Sequence, residues 1–102
     1  MNFQNISETY TNEVGGTHYQ GEIDVSYDKL VETFGEPTDG DDYKTQKEWV
    51  IKFYDGTIAT IYDWKWGYEY NGEDGTHYTN VPTWNIGGFS KQALFNVMDA
   101  LK

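Results

Sequence analysis

The chain has 102 residues, no arginine and no cysteine, and 17 acidic side chains against 7 lysines leave a formal net charge of −10. That length fits one domain with a modest core, and that charge argues against direct binding to nucleic acid or to an anionic membrane, both of which need a basic surface. The lack of cysteine removes disulfides and thiolate metal sites, and 18% aromatic residues against 37% hydrophobic overall predict a core of few, large side chains.

Residues 1–16 read as a polar lead-in ending at Gly15-Gly16, either flexible or an edge strand. They hold no apolar leader run, and no stretch approaches the roughly 20 apolar residues of a membrane span, so a soluble, cytoplasmic protein is expected. Residues 17–25 alternate, with Thr17, Tyr19, Ile23 and Val25 on one face and His18, Gln20, Glu22 and Asp24 on the other, the mark of a half-buried strand. Ser26 follows as an N-cap, and Tyr27, Leu30, Val31 and Phe34 form an apolar helical stripe. Asp28 suits the helix dipole, and Gly35 with Pro37 ends the element, so the helix covers residues 27–34.

An acidic loop carries Asp39, Asp41 and Asp42. Residues 47–54 and 57–64 then flank Asp55-Gly56, a pair that favours a two-residue hairpin turn. Such a turn sets Phe53 opposite Ile58, Ile51 opposite Thr60 and Trp49 opposite Tyr62, and it buries Trp49, Ile51, Phe53, Ile58 and Tyr62 on one face. Glu48 and Asp63 then face each other on the reverse side. Residues 65–80 are rich in glycine, acid and aromatics, either a long loop or an irregular extension of the sheet. Residues 81–86 read as a strand, at an edge because of Pro82, broken by Gly87-Gly88. Ser90 caps a final helix whose stripe is Leu94, Val97, Met98 and Leu101. The expected fold is α+β over residues 1–102 as a single domain: an antiparallel sheet of about four strands around a central hairpin, with two short helices on one face, in the order β-α-β-β-β-α.

No catalytic signature stands out. His18 and His77 lie in the matching tetrapeptides Gly16-Thr17-His18-Tyr19 and Gly75-Thr76-His77-Tyr78, but metal-ligand spacings are absent and surface histidines are the stronger reading. No serine sits in a nucleophile elbow. Gly87-Gly88-Phe89-Ser90 lacks the phosphate-loop lysine, so it reads as turn and packing. A Glu48–Asp63 pair would act on a glycoside only inside a sugar-sized cleft. No cofactor is called for.

The segment from Tyr62 to Tyr70 is the unusual one. It holds five aromatics in nine residues, more than strand alternation can bury, and exposed Trp and Tyr are typical of protein interfaces. The expected partner-binding residues are therefore Trp64, Trp66, Tyr68, Glu69 and Tyr70, together with the acidic loops at Asp39, Asp41, Asp42, Glu73 and Asp74. Ordinary solubility charge explains those acids about as well. The functional alternative is a phosphate-like array that fills a basic groove.

Small size, acidity without cysteine, and the stretches Asp24-Val25-Ser26-Tyr27-Asp28-Lys29-Leu30-Val31, Phe34-Gly35-Glu36-Pro37, Asp55-Gly56-Thr57-Ile58-Ala59-Thr60-Ile61-Tyr62-Asp63-Trp64 and Trp84-Asn85-Ile86-Gly87-Gly88 resemble the small proteins of phages and mobile elements, including anti-CRISPR and other anti-defence inhibitors. The resemblance is of type and carries no residue roles. It implies a non-enzymatic inhibitor, monomeric or a small homo-oligomer, that docks on a basic, nucleic-acid-binding host protein in the host cytoplasm. The alternative it implies is an oligomeric sponge for a small signalling nucleotide; in a chain without arginine the candidate groups for it are Lys47, Lys52, Lys65, the Gly87-Gly88 amides and the rings of Trp64, Trp66 and Tyr68. A small enzyme using carboxylates ranks third.

Overall fold

The computed structural model describes residues 2–8, 15–41 and 43–102. In chain order the elements are β1 (Phe3–Asn5), β2 (His18–Asp24), α1 (Tyr27–Phe34), β3 (Thr38–Asp39), β4 (Lys47–Phe53), β5 (Ile58–Tyr62), α2 (Tyr68–Asn71), β6 (Thr83–Gly88) and α3 (Lys91–Ala100). The fold is α+β: a six-stranded, open antiparallel sheet in the order β1-β4-β5-β6-β2, with β3 also paired to β4. Among the described residues six strands and three α-helices extend the expected four and two without conflicting with them, because β1, β3 and α2 are too short to leave a periodic signal. None of the described helices is long and apolar enough to cross a membrane.

Helices α1 and α3 lie on one face of the sheet. Leu30 and Phe34 from α1 and Ala93 and Val97 from α3 join Trp49, Ile51, Phe53, Ala59, Ile61, Trp84 and Ile86 in one buried cluster. Trp49 and Trp84 meet edge to face at its centre, 5.3 Å between ring centroids, and Trp49 donates its indole N–H to the Gly35 carbonyl at 2.7 Å. That bond ties β4 to the end of α1. Ser26 caps α1 as expected, its hydroxyl accepting from the Lys29 amide, and Ser90 caps α3 by accepting from Gln92.

The hairpin is where sequence and structure part. Its loop has three residues, Tyr54 to Gly56, because the Phe53 amide bonds to the Thr57 carbonyl and the Gly56 amide to that of Phe53. Gly56 takes φ +89°, a left-handed conformation that glycine adopts without steric cost, and a three-residue loop closing in this way shifts the register by one. The pairs are Ile51 with Ala59, Val50 with Thr60, Trp49 with Ile61 and Glu48 with Tyr62. A one-residue slip sends each side chain to the opposite face. Ile58 and Tyr62 therefore leave the core face, where Ala59 and Ile61 take their places.

Three further expectations are corrected. Thr83–Gly88 is an interior strand between β5 and β2, with Pro82 just before it, and Gly87 and Gly88 are paired on both sides instead of ending it. A bulge between Tyr19 and Gly21 breaks the alternation of β2, so Tyr19 no longer shares a face with Ile23. In α3 Val97 is buried and Leu94 and Leu101 pack against the core as expected, but Ala93 and Asn96 complete the buried side and Met98 is half exposed. Asn96 turns inward because its amide donates to Asp55 in the hairpin loop at 3.0 Å.

The face of the sheet away from the helices has only a small cluster of its own, Ile6 with Val50 and Ile58. The first residues are stitched over it. Ile6 donates its amide to the Val50 carbonyl, and Val50 donates its own to the Ser7 hydroxyl at 2.8 Å. Asn5 reaches the Phe34 and Glu36 carbonyls after α1. Residues 3–7 thus form an edge strand and strap, while residues 9–14 of the lead-in lie outside the described residues.

Candidate functional site

The loop that follows β3 and the segment from Asp63 to Tyr78 meet at one end of the sheet. The tie is Asp63. Its carboxylate is fully buried and accepts the Gln46 amide at 2.7 Å, the Lys47 amide at 3.0 Å and the Gln46 side chain at 2.8 Å. The same Gln46 amide group donates to the Thr76 carbonyl. Burial pushes the Asp63 carboxyl up, while the hydrogen bonds from Lys47 and Gln46 pull against it. Asp63 is therefore a brace, and it does not face Glu48 as the two-residue hairpin implied. Glu48 points to the helix-free face beside Tyr62.

This brace sets out a patch of aromatic rings. Tyr43, Trp64, Tyr68 and Tyr70 are between 37% and 54% exposed, far more than core rings would be. Tyr43 and Tyr70 are in contact at 5.3 Å. Lys65 lies over both Trp64 and Tyr70, and Lys44 over Trp64, each about 5.5 Å from the centroid. Asp39, Glu69, Glu73 and Asp74 are exposed, and Asp39 and Glu69 line one cleft with Tyr68.

The expected binding residues thus divide. Trp64, Tyr68, Glu69 and Tyr70 come together at this end with Asp39, while Glu73 and Asp74 follow α2 on a 3-10 turn, Gly72–Asp74. Trp66 is half buried against the core. Asp41 is exposed but occupied, because one carboxylate oxygen accepts the amides of Tyr43, Lys44 and Thr45 and so shapes the loop. Those bonds hold its carboxyl below the usual range. Asp42 lies outside the described residues. His77 caps the 3-10 turn Tyr78–Asn80 by accepting the Thr79 amide. Among the described residues, no three acidic or histidine side chains gather as a metal site would require.

Of the groups named for a nucleotide sponge, Lys65 and Trp64 come together, and the others have these places. Lys47 is paired with Asp39 at 2.7 Å, Lys65 is laid over rings, and Gly87 and Gly88 sit inside the sheet.

Beside Trp64, on the helix-free face, opens a cleft of about 300 Å³ that includes Tyr19, Asp41, Glu48, Tyr62 and Gly87. Sequence reading did not assign Tyr19, Glu48 or Tyr62 to a site, since only the hairpin slip brings Tyr62, and only the β2 bulge brings Tyr19, to the face that Glu48 already occupies. Gly87 has to be glycine here. A Cβ would collide with the Thr60 hydroxyl and touch the Tyr62 ring. Burial raises the Glu48 carboxyl above its ordinary value, and the charge of Asp41 adds to the push.

No family model, curated protein or solved structure matches this chain.

The Glu48 shift carries a stability prediction. A carboxyl whose pKa is raised on folding binds more protons in the native state than in the unfolded one, so stability falls as pH rises through the folded pKa. Glu48→Gln removes that loss. Its melting temperature should exceed the parent's at neutral pH, and the gap should close as pH drops toward the ordinary carboxylate range. A gap that stays constant with pH, or reverses at neutral pH, would show that the carboxylate is not desolvated.

Proposed function

We propose that this chain is a non-enzymatic binding protein, an inhibitor of the phage anti-defence type, that docks the aromatic and acidic end of its sheet on a basic protein. The observation that carries the reading is the joint exposure of Tyr43, Trp64, Tyr68 and Tyr70, with an acidic rim of exposed Glu69, Glu73 and Asp74 on the same segment. Rings held rigidly by a buried brace bring large contact area at low entropic cost, the usual character of interface hot spots. The rim adds steering: with a net charge of −10, association with a basic surface is fast at low salt and slows as salt screens it. A partner that normally grips a phosphate backbone fits this charge pattern.

The test begins with capture from host lysate at low and high salt and identification by mass spectrometry. With the captured protein in hand, the quadruple variant Asp39→Asn, Glu69→Gln, Glu73→Gln, Asp74→Asn should slow association about tenfold at low salt and much less at high salt. Trp64→Ala and Tyr68→Ala should act on dissociation instead. Association rates that the quadruple variant leaves unchanged would remove the electrostatic part of the proposal. Gel shifts with DNA or RNA are expected to be blank, and a strong shift would overturn the reading.

A further inference from the structure

We propose that the cleft beside Trp64 receives the guanidinium of an arginine side chain from the partner protein, an inference that rests on the docking reading above. The cleft has the size for one side chain, about 300 Å³, the lower limit of small-ligand sites. Glu48 supplies its charge. Among the described residues the ion pairs are Lys47 with Asp39 and Lys102 with Asp99, and none of those residues hydrogen-bonds or ion-pairs with the Glu48 carboxylate. Asp41 also lines the cleft, one of its carboxylate oxygens being taken by the Tyr43, Lys44 and Thr45 amides, and His18 is among the lining side chains while no lysine is. Like charges left in this way beside a half-buried cleft are unfavourable, and a cation placed between them reverses the sign of the interaction.

The walls choose the kind of cation. Tyr62 stands next to Glu48 across the β4–β5 ladder, and Trp64, whose ring also lies under Lys44 and Lys65, meets Tyr62 nearly at a right angle, 6.2 Å between centroids and 84° between planes, so the open ring faces for a cation are those of Tyr62 and Tyr19. Tyr19 contributes a third ring to the lining. Aromatic faces attract cations but give a metal ion no ligands, so the ring-rich lining favours an organic cation. Between the two cationic side chains, a guanidinium is less strongly hydrated than an ammonium, stacks flat on a ring and offers a carboxylate two parallel N–H donors. This chain has no arginine of its own, so the group must come from another molecule.

The test needs no partner. N-acetylarginine amide, titrated into the isotope-labelled chain, should shift the amide resonances of Tyr19, Glu48 and Tyr62 and the indole resonance of Trp64. N-acetylcitrulline amide, the neutral near-isostere, should leave them in place. Glu48→Gln should weaken the arginine response about tenfold or more while the protein remains folded, the scale of one charge-assisted contact. Equal shifts with citrulline, shifts elsewhere only, no shifts at all, or an undiminished response in Glu48→Gln would each overturn the inference. Its failure is separable from that of the docking reading. Arginine that binds here while no basic protein is captured would sink the docking reading alone. A captured partner whose affinity Glu48→Gln leaves unchanged, with a cleft silent to arginine, would sink the cleft alone.

Discussion

Trp49→Ala should remove about 3–5 kcal/mol of stability, the usual cost of truncating a fully buried tryptophan. Trp49 has no exposed surface, contacts Trp84 at 5.3 Å and Tyr27 at 5.8 Å, and holds the Gly35 carbonyl. Truncation leaves a cavity between the sheet and α1 and strips that carbonyl of its partner. Domains of this size rarely have more than about 5–15 kcal/mol in total, so the variant should be largely unfolded at moderate urea where the parent is intact. Trp49→Phe keeps most of the volume and loses the hydrogen bond, and should fall between the two. A urea midpoint for Trp49→Ala close to the parent's would mean that Trp49 does not pack at the centre of the core.

The second large effect is expected at Asp63. Alanine there leaves the Gln46 and Lys47 amides without an acceptor in a buried place, and each orphaned donor costs about 1–3 kcal/mol. Asp63→Ala should therefore lose about 2–4 kcal/mol. Asparagine should do less harm, because its carbonyl can still accept both amides, although its NH₂ then confronts the Gln46 side chain. The brace also joins the docking end to the sheet, so amide exchange in residues 64–78 should accelerate in Asp63→Ala more than in the strands. Uniform acceleration across the chain would assign Asp63 to global stability alone.

Much of the fold was legible because its signals are local. Ser26 with the stripe Tyr27, Leu30, Val31 and Phe34 defines α1 to the residue, and Asp55-Gly56 places the hairpin. What could not be read depends on partners distant in sequence. The hairpin register turned on whether Gly56 closes a two- or three-residue loop, and both are compatible with the same pair of residues. The interior place of β6 depends on β2 crossing from the other side of the chain. The inward turn of Asn96 depends on Asp55, 41 residues away.

The site followed the same division. The crowding of aromatics from Tyr62 to Tyr70 was enough to mark the end with exposed rings, since alternation cannot bury so many of them. The role of Asp41 as a loop cap was hidden, because its partners are backbone amides that any residue carries. The cleft was hidden more deeply, for Glu48, Tyr62 and Tyr19 share a face only after the slip and the bulge. One signal was available: Glu48 opens the apolar run Trp49-Val50-Ile51, where a carboxylate is costly unless it has a use.

The strand order has a consequence for synthesis. Phe3 pairs with Phe53, and His18 with Gly88, so each outer strand is made long before the strand it joins. While the chain is growing, β1 has no partner until β4 has emerged, and β2 none until β6 has. Contacts this distant in sequence close late and slowly. The nascent chain must then carry Phe3 and Ile6 without Phe53, Val50 and Ile58 until β4 and β5 emerge, a window in which a chaperone, or a neighbouring ribosome's product, would meet an unpaired strand.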